Sequence, residues 1–158
     1  MSFTRRLIVS SLFLMLASCA QGAETGIVDG AGRALEPLTV VTATGRHDFL
    51  VEIADDEPER QRGLMFRPPL EANRGMLFEF PVAGEQGFWM KNTPSSLDIV
   101  YIDPTGRIVS IASHTTPNSE AVVPSNGAAN GVLEVRAGRM EEIGAKAGDT
   151  VEHSFFKP

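Results

Sequence analysis

Cysteine is nearly missing from this chain: Cys19 is the only one among 158 residues. No internal disulfide can form, so the fold has to rest on its apolar core. Basic residues are sparse too, at 14 Lys and Arg against 20 Asp and Glu, for a formal net charge of −6. No basic cluster interrupts that acidity, and a nucleic-acid partner is therefore excluded. Long apolar runs are also absent. The main one, residues 7–16, is broken by Ser10 and Ser11 and falls short of the ~20 residues that span a bilayer. Nor does the chain hold an HExxH zinc helix, a Gly-x-Ser-x-Gly elbow, a phosphate loop or a dinucleotide glycine pattern. No metal and no cofactor are expected.

What is present begins with an address. Arg5 and Arg6 give a positive start, residues 7–16 an apolar stretch, and Ala17 and Ser18 are small residues ahead of Cys19. This is the three-part pattern of an export signal. Its end, Leu16-Ala17-Ser18-Cys19, resembles a bacterial lipoprotein processing box. The resemblance implies that Cys19 becomes the first mature residue and carries acyl chains that hold the protein to a membrane. The alternative is cleavage after Ala20, which releases a soluble periplasmic protein. The expected layout is a signal peptide at 1–18, a lipid-anchored flexible tether at 19–36, rich in Gly and Ala, and a globular domain at 37–158. That domain would face the periplasm from the cell envelope.

From Pro37 onward, short apolar runs alternate with Gly, Pro, Asn and Asp about every ten residues, an all-β rhythm. Strands are predicted at 38–43, 48–54, 75–80, 87–91, 97–102, 107–112, 131–135 and 150–155. Phe49, Val51 and Ile53 share one face by alternation, as do Met76, Phe78 and Phe80. Asp103-Pro104-Thr105-Gly106 reads as a hairpin turn. Two short helices interrupt the strands: one capped by Asp56, with Glu59 as box partner and Gly63 as stop, and one at 139–145. Residues 115–129 read as a long surface loop. The fold class is mainly β, a single jelly-roll-like sandwich or partly closed barrel with two short helices.

Four phrases sit in order along this frame: Glu59-Arg60-Gln61-Arg62-Gly63-Leu64-Met65-Phe66-Arg67, Gly75-Met76-Leu77-Phe78, Phe88-Trp89-Met90-Lys91-Asn92-Thr93 and Leu97-Asp98-Ile99-Val100-Tyr101-Ile102-Asp103. With Val132-Leu133-Glu134 and Gly148-Asp149, they resemble the domain-of-unknown-function family 192 over roughly residues 38–156. The resemblance implies a β-rich jelly-roll or barrel domain that often follows an export signal, and it implies no activity. One departure is that Pro124 stands before Ser125, where members often carry an aromatic residue.

A binding site is expected from Arg60, Arg67, Trp89, Lys91, Asn92 and Asp98, edged by residues 115–129. Lys91 and the arginines offer charge for an acidic group, and Trp89 offers apolar area. The plainer reading makes Arg60 and Arg67 structural ion-pair partners of Asp98 or Glu134, which are both embedded in apolar strands. The expected function is a non-catalytic envelope module that binds a small molecule, glycan or protein partner. One alternative is a polysaccharide hydrolase or lyase that uses Asp98 and Glu134 as acid and base. Another is a periplasmic Cu(I) carrier built from Met65, Met76, Met90 and Met140 with His47, His114 or His153. Met residues in apolar runs more often fill cores.

Overall fold

Alternating apolar residues build a seven-stranded sheet in the computed structural model, which describes residue 28 and residues 33–156. The expected signal segment, Cys19 and most of the expected tether lie outside the described residues. The elements run β1 (Glu36–Thr42), β2 (Gly45–Ala54), α1 (Glu57–Arg62), β3 (Arg74–Phe88), β4 (Leu97–Ile102), β5 (Ile108–Ala112), β6 (Val123–Arg136), α2 (Arg139–Glu142) and β7 (Thr150–Glu152). Their order across the sheet is β5-β4-β6-β3-β2-β1-β7. The sheet curls into a half-barrel, and a bridge between Arg107 and Thr150 joins its outer strands at one end. The mainly-β class with two short helices is the one that the sequence predicts.

Every pairing is antiparallel except β2 with β3. A parallel pair needs a crossover, and residues 55–73 supply it. Asp56 starts α1 by accepting the Glu59 amide at 2.8 Å, and Gly63 ends it at φ 44°. The crossover lays Leu64 and Leu70 onto one face of the sheet, against Met76, Phe78, Met90, Leu97 and Tyr101. The other face, curled inward, packs Phe49, Val51, Leu77, Val100 and Leu133 with Met140 and Ile143 from the α2 region. β4, apolar at nearly every position, is buried on both sides along its whole length.

Several expectations change: the strand expected at 150–155 ends at Glu152, and the helix expected at 139–145 ends at Glu142. The strand expected at 75–80 and the first two residues of the one expected at 87–91 belong to one strand, β3, which passes Pro81 and Gly84 with shifts in register and ends at Phe88. The expected loop 115–129 is loop only up to residue 122; from Val123 it is strand β6, paired to the far half of β3. Bulges absorb the extra residues and bend the ribbon without ending it. Contacts of the body also reach back to Arg33, and Leu35 is buried.

Candidate functional site

The crossover and the far half of β3 leave a groove between them. It has a volume of about 600 Å³, and its lining includes Arg60, Gln61 and Met65 on one side and Phe80, Phe88, Trp89, Lys91 and Asn92 on the other. Phe88 anchors the second side. Its ring stands edge-on to Phe78 at 4.9 Å and to Tyr101 at 6.0 Å, geometry that aromatic quadrupoles favour. With Phe88 and Met90 turned into the core, Trp89 and Lys91 turn outward. Trp89 is 45% exposed and is the chain's single tryptophan. Lys91 Nζ lies 5.0 Å from the Trp89 ring centroid and 3.6 Å from a carboxylate oxygen of Glu120, in the loop ahead of β6. Asn92 takes a left-handed backbone (φ 54°), and its carbonyl accepts the Phe66 amide at 2.8 Å. That bond ties the groove's two sides together.

Of the six expected site residues, four meet here: Arg60, Trp89, Lys91 and Asn92. Arg60 is not free to clamp an acidic ligand with its fork. Its Nη1 donates to the backbone carbonyls of Asp55 and Glu79, and the guanidinium lies 5.4 Å from the Phe80 ring centroid. Its Nε is buried without a hydrogen-bond partner among the described residues.

Arg67 sits elsewhere. It grips Glu52 bidentately at 3.0 and 2.9 Å, and Arg33 adds a third bond to Glu52 at 2.8 Å. The ion-pair reading thus holds for Arg67 with a different acid. Sequence reasoning missed Glu52 because it alternates with Val51 and Ile53 and so reads as solvent-facing, whereas the crossover covers it.

Asp98 leaves the site as well. It is fully buried and accepts the backbone amides of His114 (3.0 Å), Gly138 (3.1 Å) and Met140 (2.9 Å). Asp98 pairs in register with Val135, so Glu134, one residue along, points to the opposite face of the sheet. The two carboxylates cannot act on one bond. The four methionines are also divided, with Met76 and Met90 in one packing cluster, Met140 in the other and Met65 at the groove. Among the described residues no three His, Cys, Asp or Glu side chains are placed to share a metal ion.

Glu134 ends at the foot of the groove. A small cavity of about 30 Å³ there is lined by Glu134, Arg60, Leu64, Phe78, Phe88 and Thr93, among others. Glu134 is 4% exposed and has no hydrogen bond or ion pair among the described residues. Burial alone pushes its carboxyl up to about 8; a charge taken out of water without a partner is the less stable form. Burial therefore favours its uncharged form at neutral pH.

Fold and site define a class: a curled β-domain with an open, mixed polar and aromatic groove at its crossover. The chain belongs to the domain-of-unknown-function family 192 (uncharacterized ACR), whose model matches residues 39–153. It is similar to a candidate transcription regulator from Sinorhizobium meliloti 1021, at 38% identity and a TM-score of 0.73, over 75% of this chain and 93% of that one. A protein of unknown function from Novosphingobium aromaticivorans DSM 12444 is 36% identical with a TM-score of 0.78, over 83% and 94% of the two chains. No curated protein matches.

Proposed function

We propose that this domain is a non-catalytic binding module of the cell envelope, and that its crossover groove takes a small molecule. A glycan or a protein segment is the alternative occupant. The observation that carries this reading is the groove itself. Trp89, Phe80 and Phe88 give it apolar area, while Lys91, Asn92 and Gln61 bring polar groups to the same walls. Ligand sites combine a mostly apolar concavity with a few convergent polar groups. The envelope location rests on the export pattern and on the position of Cys19. The name of the Sinorhizobium protein suggests gene regulation, but an acidic chain with net charge −6 is poorly suited to DNA.

The single tryptophan makes the test direct. Titration of the purified domain with a panel of amphipathic small molecules, oligosaccharides and peptides should give a saturable change in Trp89 emission for at least one class. Trp89→Ala, followed by calorimetry, should weaken that ligand at least about tenfold. Absence of any saturable change across the panel would remove the groove as a site. Mass spectrometry of the native N-terminus should find an acylated Cys19; an intact Met1 would remove the envelope location.

A further inference from the structure

We propose that the groove takes a small amphipathic carboxylate, whose acid group pairs with the Lys91 ammonium and displaces Glu120, an internal stand-in for it. This rests on the groove reading above and narrows its ligand to an apolar body that carries a carboxylate. Charge is the first argument. The chain is acidic, at −6, yet among the described residues the groove's lining holds two cations, Arg60 and Lys91, against one acid, Glu57. Glu57 is already engaged. One of its oxygens accepts the Gln61 amide at 2.9 Å, and the other lies 3.4 Å from Arg60 Nη2. Lys91 is therefore the surplus charge on these walls. Its ammonium has two neighbours, and neither takes a hydrogen bond from it: the Trp89 ring holds it by cation–π attraction at 5.0 Å, and the Glu120 oxygen at 3.6 Å is out of hydrogen-bond reach.

Backbone bonds set Glu120 in that place. The Met90 amide donates to the Ser119 carbonyl at 2.9 Å, and the Asn118 amide donates to the Thr93 carbonyl at 3.0 Å. Residues 118–120 are thereby held beside residues 90–93, and the Glu120 carboxylate reaches Lys91 from outside the groove. Its side chain is 65% exposed there, against 39% for Lys91. Exposed ion pairs of this kind hold weakly, so a second carboxylate that also covers apolar area has the advantage. That area is at hand, because Phe80, Phe88 and Trp89 line the same groove, and an apolar body laid against them leaves water as Glu120 does not. An ammonium ligand would meet Lys91 and Arg60 with like charge, and an uncharged one would leave Lys91 to Glu120.

Three near-isosteric aliphatic probes test this: cyclohexanecarboxylate, cyclohexanecarboxamide and cyclohexylmethylammonium, each titrated against Trp89 emission at low salt. The carboxylate should bind about tenfold tighter than the amide or the ammonium, as expected for a charge-assisted pair. High salt should shrink that margin. Glucuronate, a carboxylate on a polar ring, should bind about tenfold weaker than cyclohexanecarboxylate, which separates a small amphipathic acid from an acidic sugar. Lys91→Met keeps the apolar stem and should erase the carboxylate's margin while the amide's affinity stays where it was. Glu120→Gln, a surface change, should raise the carboxylate's affinity about threefold and leave the amide unmoved. A merely structural role for either residue would move both probes together. Equal affinities for carboxylate and amide, an undiminished margin in Lys91→Met or no gain in Glu120→Gln would overturn the proposal and leave the groove standing. If no probe moves Trp89 emission, the groove reading falls and the carboxylate site falls with it.

Discussion

Glu134 has a consequence for stability that is independent of any ligand. Its carboxyl titrates near the ordinary 4.5 when the chain is unfolded and at about 8 when folded. Below the lower value both states are protonated and the group contributes nothing to pH dependence. Between the two, the folded state holds a proton that the unfolded state has released, so stability falls as pH rises. Above the upper value both are ionised and the penalty is constant. Glu134→Gln removes this term. Denaturant melts should therefore show the variant gaining on the parent from pH near 5 to pH near 8, by up to roughly 4 kcal/mol. A gap that stays constant across that range would mean that Glu134 is partnered or solvated. The sequence marks this residue as an acid among apolar neighbours, Leu133 and Val135, but gives no sign of which face it takes or what lies above it. Those are set by the pairing of Glu134 with Met76 and Ile99.

At the scale of elements, the local grammar was readable and the crossings were not. Asp56 and Gly63 delimit α1 through bonds between near neighbours, so the sequence locates that helix. Glu59 departs in detail: its carboxylate accepts the Asp55 amide at 3.4 Å, one residue before the cap itself. Arg60 lies inside α1, and Trp89, Lys91 and Asn92 directly follow β3, so their meeting at one groove depends on elements that the sequence locates. Arg67 and Asp98 were misplaced because their partners come from β2 and from the segments after β5 and β6. Asp98 is the fastener of that second region. It satisfies three backbone amides, two of them at the start of α2, whose own N-cap is a glycine without a side chain to bond. Asp98→Ala should strand these donors in the core and cost about 3 kcal/mol or more. Hydrogen exchange at the Met140 amide should rise with it. Asp98→Asn, close in shape, should recover part of the loss; a change of under ~1 kcal/mol in the alanine variant would mean that water reaches this region.

Across the whole molecule, the long β3–β6 ribbon explains why the sheet has two buried faces and why the sequence divided it wrongly. Pro81, Gly84, Pro124 and Gly127 are turn residues by composition. Here they sit in two bent strands that support one another, since Gly87 pairs with Pro124 and Phe88 with Val123 across the slips in register. One half of the ribbon carries the inner core, and the other raises Phe88 and Trp89 to wall the groove. The inner core must be closed at the opposite edge, where β5 and β7 meet. The Val151 amide donates to the Gly106 carbonyl at 2.7 Å, and the Ile108 amide donates to the Asp149 carbonyl at 2.8 Å. Gly106 suits this seam twice over. Its φ is 82°, a region that L side chains avoid, and a Cβ there would collide with the Val151 carbonyl. The carbonyl belongs to the backbone and cannot swing away, so Gly106→Ala has to open the seam. We expect a loss of about 2–4 kcal/mol in urea unfolding, with faster amide exchange at Val151 and Ile108. Groove-side signals should persist, so native Trp89 emission should be unchanged. Full stability in this variant would mean that the half-barrel holds without its closing contact and that the inner core is sealed by α2 and Phe156 alone.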